Sequence, residues 1–383
     1  METMCAWRRL YLTMAKKFKF YSADHLLKDF PDAQYYIIYG ERSNGKTYDA
    51  LSRGLRNYAK TGSQFAYLRR WGEDIRSKNL SNLFSGHIEN GFLKSLFGDE
   101  WNQIYYRSGK FYLERRDEDG TITRDESPCG FAFDLNGMEH YKSTSFPRVT
   151  TIIFDEFLSR NGYIPNEFVL FQNSLSTIIR HRDNVKIFML GNTVNQSCPY
   201  FQEMGLTHIK KQKQGTVDLY TYPNGAKVVV EYAESSFKRG GKASDVYFAF
   251  DDPELNMITT GVWEMNIYPH LSIKYRPKDV VANFFIDFEG ELFHGEVVVL
   301  DTGHFIFLHK KTTPIKNEDE DIVYTTKADE RWNYKMALTK QTDKLSLFIM
   351  KCLRENRIFY SSNEVGEALR NYVMWSDSYS IKN

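Results

Sequence analysis

"YIIYGERSNGKTYDAL", Tyr36 to Leu51, sets aromatic and β-branched residues against a glycine-bounded loop that ends in Gly45-Lys46-Thr47. The run before the loop, "YYIIYG" at 35–40, reads as a short buried strand ended by glycine. Behind the loop, Tyr48, Leu51, Leu55 and Tyr58 recur at helical spacing. A loop so placed is either a flexible turn or a cradle for phosphate, and the residues inside it decide. Gly40, Glu41, Arg42, Ser43, Asn44, Gly45, Lys46 and Thr47 satisfy G-x-x-x-x-G-K-[ST] in full. The glycines let backbone N–H groups turn toward phosphate oxygens, and the following helix presents its positive end. Lys46 is expected to reach the terminal phosphates and the Thr47 hydroxyl to ligate Mg2+.

A second buried strand, "RVTTIIFDEFL" at 148–158, ends in two adjacent acids. Nucleotide hydrolysis needs one carboxylate near the metal and another to orient or deprotonate water. Asp155 is assigned the metal and Glu156 the water. Pro165 opens an amphipathic helix, "PNEFVLFQNSLSTIIRHR", and "VKIFMLGN" at 185–192 follows as a third buried strand. Asn192, at the mouth of that strand, has the amide of a γ-phosphate sensor, although asparagine before a turn is also ordinary turn chemistry. Arg180 and Arg182 close the helix. Their type suits an arginine delivered to a neighbour's nucleotide, and it equally suits the negative end of a helix dipole.

Over 383 residues the apolar content is 42% and the charged content 26%, as in globular chains long enough for two or three domains. No apolar run approaches the roughly 18 to 20 residues of a membrane span, so no membrane partner is expected. The net charge of +1 neither supports nor excludes DNA. Cys5, Cys129, Cys198 and Cys352 lie far apart without CxxC pairs or histidines at metal spacing, which fits a reducing compartment and argues against a zinc site. Met14 is a candidate start, which makes residues 1–13 an upstream extension.

Strands alternating with helices predict a largely parallel α/β sheet. "SQFAYLRRW" at 63–71 is its next strand, and residues 104–135 read as β-runs turned at Ser108-Gly109 and Asp119-Gly120. After about residue 205 the texture becomes basic and glycine-containing, as suits a linker or an exposed surface, and a boundary is expected there. From about 273, strand-like runs, an acidic loop "NEDED" and two helices predict a second α+β or α/β domain.

"GERSNGKTYDA", "QFAYLRRW", "YKSTSFPRVTTIIFDEF", "YIPNEFVLFQNSLSTIIRHRDNV" and "CPYF" together resemble the genome-packaging ATPases of small, protein-primed tailed bacteriophages, over roughly residues 20 to 205. The likeness continues weakly through "VYTTKADERWNYKM" and the closing helices. It implies an ATP- and Mg2+-dependent motor, a homo-oligomeric ring of about five subunits at the portal of an empty prohead, driving double-stranded DNA inward with a packaging RNA as scaffold. It implies action in the cytoplasm of an infected bacterial host. It keeps Lys46, Thr47, Asp155 and Glu156 in the roles given above and makes Arg180 the trans-acting arginine finger. Lys142, in "YKSTSF", becomes a second basic group acting on a neighbour's nucleotide.

Family members carry a DNA-touching lysine soon after the "RR" pair. Here Trp71-Gly72-Glu73 follows Arg69-Arg70, so DNA contact is assigned to Arg69, Arg70, Arg76 and Lys78 together. The resulting fold class is a P-loop NTPase (ASCE-type) domain with a parallel-rich sheet plus a C-terminal ribonuclease-H-like α/β domain. Its boundaries are 14–234 for the ATPase, 235–272 for a linker and 273–383 for a vestigial nuclease. Asp287 and Asp301 are candidate remnants of a two-metal site, which needs several converging acids. The alternatives are a large terminase with a working nuclease, a P-loop helicase or translocase, and a non-enzymatic nucleotide switch.

Overall fold

A strand buried on both faces needs a cover on each side, and Tyr36, Ile37, Ile38 and Tyr39 are all buried. The computed structural model describes residues 20–160, 162–234 and 267–379. It divides into two compact units. The first holds most residues up to 263, and the second holds Arg160–Pro165, Ser197–Gln202 and the chain from Glu264 on. Residues 1–13, Met14 and most of the expected linker lie outside the described residues.

In the first unit, β1 (Tyr35–Gly40), β2 (Gln64–Arg69), β6 (Gly130–Asp134), β7 (Val149–Asp155), β8 (Lys186–Asn192) and β10 (Lys227–Tyr232) run parallel in the order β6-β2-β7-β8-β1-β10. The antiparallel flanks are β3 (Gln103–Arg107), β4 (Lys110–Arg116) and β5 (Ile122–Arg124) on one side and β9 (Thr216–Thr221) on the other. This is a mixed α/β fold with a parallel-rich sheet, as expected.

Successive strand residues face opposite sides. Ile38, Ile153, Phe188 and Leu190 accordingly join Leu51 and Leu55 of helix α1 (Lys46–Thr61) on one face. On the other, Phe154 stacks on Phe171 of α2 (Glu167–Ile179) with ring centroids 5.2 Å apart.

Two expectations change. The basic stretch after residue 205 is no boundary, because β9 and β10 follow it and β10 pairs with β1 from Tyr35 to Tyr39. Its run Val228-Val229-Val230 is buried, which outweighs the charged texture around it. Also, α2 starts at Glu167 instead of Pro165.

The second unit has the sheet order β15-β14-β11-β12-β13-β16. Strands β11 (Val280–Phe288), β12 (Glu291–Leu300) and β13 (Gly303–Lys311) form an antiparallel meander. Strands β14 (Ile322–Thr325), β15 (Tyr334–Met336) and β16 (Ile358–Tyr360) add in parallel at its sides. Phe293, Val297, Ile306 and Leu308 pack with Ile349 and Cys352 of α3 (Lys344–Arg354) and Leu369 and Tyr372 of α4 (Asn363–Ser378). The helices thus cover one face of the meander. No helix among the described residues is long and apolar enough to cross a membrane.

Candidate functional site

Parallel strands deliver all their C-terminal ends to one edge, and the strand order brings three loaded ends together. β8 lies between β1 and β7, with Asn192 opposite Gly40 and Leu190 opposite Asp155. Between Gly40 and Lys46 the chain bends through Ser43 at φ +57° and Gly45 at φ +97°. A left-handed turn at Gly45 favours glycine, and a Cβ there would also come within 3.3 Å of the Cβ of Phe20.

Lys46 is buried and its Nζ folds back on the loop, donating to the Glu41 carbonyl at 2.6 Å and the Asn44 Oδ1 at 3.2 Å. It also reaches the Asn192 Oδ1 at 3.4 Å. The Thr47 hydroxyl donates to both oxygens of Asp155, at 3.1 and 3.2 Å. Residues separated by 108 and 146 positions in the chain therefore share one small volume. Among the described residues the buried Nδ2 of Asn44 has no hydrogen-bond partner. Arg42 and Ser43 face solvent on the outside of the loop.

Burial pushes the Asp155 carboxyl above its ordinary range, while the Arg69 guanidinium and the donors from Tyr67 and Thr47 pull it back. Tyr67 donates to Asp155 at 2.9 Å, and burial followed by that carboxylate holds the phenol well above its usual value. Glu156 is exposed, with φ +58°, and accepts from Arg69 Nη2 at 2.7 Å. Tyr67 was not foreseen, nor was Arg69 in this setting. The signal was present as period-two spacing: Leu68 lies opposite Phe154, so Tyr67 and Arg69 share the face of Asp155 once β2 and β7 are neighbours.

Of the Arg69-Arg70 pair assigned to DNA, the assignment of Arg70 is corrected, while Arg69 lies against the acid pair. Arg69 is only half-buried but spans the acid pair, lying 3.8 Å from Asp155 and 2.7 Å from Glu156. Arg70 is 5% exposed. Its guanidinium binds Glu167 through two bonds of 2.8 and 2.9 Å and donates to the carbonyls of Glu156 and Phe157. A charge so enclosed is not available to an external phosphate. Arg76 is exposed and lies 3.6 Å from Glu73. The side chain of Lys78 lies outside the described residues.

Arg180 and Lys142 stand apart from Lys46. α2 returns from the loaded strand ends to the start of β8, so its terminus lies at the opposite edge of the sheet, about 20 Å away by the length of a seven-residue strand. There Arg180, at φ +54°, donates to the Thr144 carbonyl at 2.9 Å, which brings it beside the segment carrying Lys142. Lys142 is exposed and paired with Glu139. Arg182 instead donates to the carbonyls of Phe146, Pro147, Val149 and Ile178 and ties the helix end to the start of β7.

The family model described as "Podovirus DNA encapsidation protein (Gp16)" matches residues 14–245, more than half of the chain. A DNA packaging protein of Bacillus phage B103 is 33% identical over 173 residues, covering 44% of this chain and 47% of that protein. The chain therefore spans about half the length of the curated relatives it matches. Among solved structures, the phi-28 gp11 DNA packaging motor is similar with a TM-score of 0.53 at 19% identity, over 94% of this chain and 98% of that one. The viral genome packaging motor assembly of bacteriophage phi-29 gives 0.52 at 21%, over 94% and 99%. At such identities these two likenesses speak for the fold. With the loop, the acid pair and Asn192 at one sheet edge and the family match running through all three, this chain belongs to the Podovirus DNA encapsidation protein (Gp16) family.

Proposed function

We propose that this chain is the ATPase of a genome-packaging motor, working as a homo-oligomeric ring of five at the prohead portal and driving double-stranded DNA inward, with a packaging RNA as a further partner. The observation that carries the reading is the meeting of Lys46, Thr47, Asp155 and Asn192 at one set of strand ends in a chain of a DNA encapsidation family.

The donor set fits ATP and Mg2+. A buried carboxylate pushed toward protonation, a hydroxyl bonded to it, and an unpartnered buried amide in the loop are the groups that a divalent cation and phosphate oxygens would satisfy. When bound, the magnesium nucleotide supplies the phosphoanhydride bond and neutralises part of its own charge. Thr47 and Asp155 would be the oxygen donors to the metal, and Lys46, bonded here to the Glu41 carbonyl, would meet the terminal phosphates. Glu156 orients the attacking water and takes its proton. Asn192, already bonded to Lys46, reads whether the terminal phosphate is present.

Arg180 and Lys142 act on the next subunit's nucleotide. Their place at the far sheet edge supports a trans role, since neither can serve its own loop. The left-handed backbone at Arg180 supports it as well, because an arginine is an expensive residue to place there. The second unit is read as a ribonuclease-H-like module that binds nucleic acid. Support comes from its strand order, an antiparallel meander with two parallel strands added beside the first. Asp287 sits opposite Leu292 at the start of β12, whereas Asp301 follows its end at Leu300, about 30 Å along the hairpin. These two acids do not form one metal site, so an intact nuclease gains no support from them.

The test is ATP turnover and DNase-protected DNA in proheads, for wild type and for Lys46→Ala and Glu156→Gln. Both variants are expected to lose at least about a hundredfold in turnover. Turnover unaffected by Glu156→Gln, or no ATP uptake by calorimetry, would sink the motor reading.

A further inference from the structure

Strands β12 and β13 place two imidazoles and a carboxylate on the sheet face opposite α3 and α4. His294 and Glu296 are two residues apart on β12 and so share a face, and His309 of β13 lies directly across from His294. One donor atom from each lies within 4.8 Å of the other two, and all three residues are half-buried.

The surroundings prepare the donors. His294 Nε2 is 2.8 Å from the Asn283 Oδ1, and a ring proton there leaves Nδ1 as an acceptor. His309 Nδ1 is 3.2 Å from its own neighbour's carbonyl, that of Lys310, which leaves Nε2 as an acceptor 3.8 Å from Glu296 Oε2. The Tyr275 hydroxyl donates to that same carboxylate oxygen and restricts its swing. Phe285 stacks on the His294 ring with centroids 4.7 Å apart. Lys311, the nearby cation, lies 5.9 Å over the Phe285 ring and bonds Thr313.

We propose that His294, Glu296 and His309 form a binding site for a divalent transition metal of the zinc class, with three protein donors and one position open to water. Two imidazoles with one carboxylate suit zinc or cobalt and are a poor set for magnesium or calcium, which prefer all-oxygen shells. Oxygen acceptors on the outer ring nitrogens are the usual second shell of such sites. Donors held at about 2.1 Å from an ion would draw together by about an ångström from their present spacing, within reach of small side-chain rotations.

Metal-stripped full-length protein, saturated with magnesium-ADP to occupy Thr47 and Asp155, is titrated with Co2+ and followed by its visible d–d absorption, then back-titrated with Zn2+. One cobalt per chain is expected, displaced by zinc and retained in Asp155→Asn. His309→Gln and Glu296→Gln should each weaken binding at least about tenfold. Zinc should raise the melting temperature of wild type and leave the His294→Gln/His309→Gln double variant unmoved, with metal-free melting reporting whether each variant folds. Wild-type protein that takes up no cobalt, or variants that bind it as wild type does, would overturn the site.

Discussion

Asp155 is held from several sides, since its two oxygens take donors from Thr47 and Tyr67 with the Arg69 charge close by. Arg69 is the positioning group here, and its guanidinium is what compensates a buried and an exposed acid together. Arg69→Ala is expected to lower ATP turnover at least about tenfold without any DNA present and to cost about 1–3 kcal/mol of stability, by leaving Asp155 less compensated. Steady-state hydrolysis and thermal melts check this. A residue serving DNA alone would leave DNA-free turnover untouched. Arg69→Lys should recover only part of the loss, because an ammonium cannot span both carboxylates as the fork does.

At the scale of elements, the sheet edge is held by staples that a motif search does not see. Arg70 binds the end of β2 to the start of α2 and to the turn after β7, and Glu167 has no exposed side-chain surface. Breaking a buried pair leaves one charge uncompensated, so Arg70→Met should cost about 3–5 kcal/mol, with Glu167→Gln added to it restoring part. Denaturant melts of the four-member cycle measure this. The N-terminal segment is stapled likewise: Arg53 of α1 reaches Asp49 at 2.8 Å and Asp24 at 2.9 Å, and Ala23 N–H donates to Asp49.

His87 supplies a pH dependence. Its ring stacks on Tyr48 at 3.9 Å, bonds the Tyr48 carbonyl and Ser52 through Nε2, and keeps Nδ1 buried without a partner among the described residues. Burial pulls its pKa down to about 4. The unfolded chain takes up the proton near pH 6.5 and the folded chain only near 4. The contribution is thus whole above about 6.5 and lost as pH falls toward 4, on the order of 3 kcal/mol in all. His87→Gln should flatten the stability curve in that window.

For the whole molecule, the ring reading makes two demands. Chains carrying Arg180→Ala keep their own phosphate loop, and chains carrying Lys46→Ala keep their arginine. Mixtures of these two inactive proteins are expected to regain measurable ATP turnover where an intact loop meets an intact arginine, and no recovery at any ratio would remove the trans assignment. DNA binding should be blind to sequence and fall steeply with salt, since a packaging motor must accept every base through its phosphates. Filter binding across a salt series checks that, with Arg70→Met expected to leave the slope unchanged because its charge is enclosed.

The glycine-bounded loop, the acid pair and the strand-helix alternation were legible in the sequence because each is local: a run of apolar residues, a glycine pattern and a strand end are written by neighbours in the chain. Lys46, Thr47, Asp155 and Asn192 could be named that way. What the tertiary structure alone decided is which distant residues share a volume. Tyr67 and Arg69 join Asp155 only because β2 lies beside β7. β10 belongs to the sheet only because a buried valine run outweighs the basic loops before it. Arg69 and Arg70 read as surface charges until their partners, far along the chain, took them inward. His294, Glu296 and His309 are a cluster only through the register of one hairpin. Pairing across strands is set by packing and not by spacing along the chain, and charge in a sequence carries no sign of which way it will face.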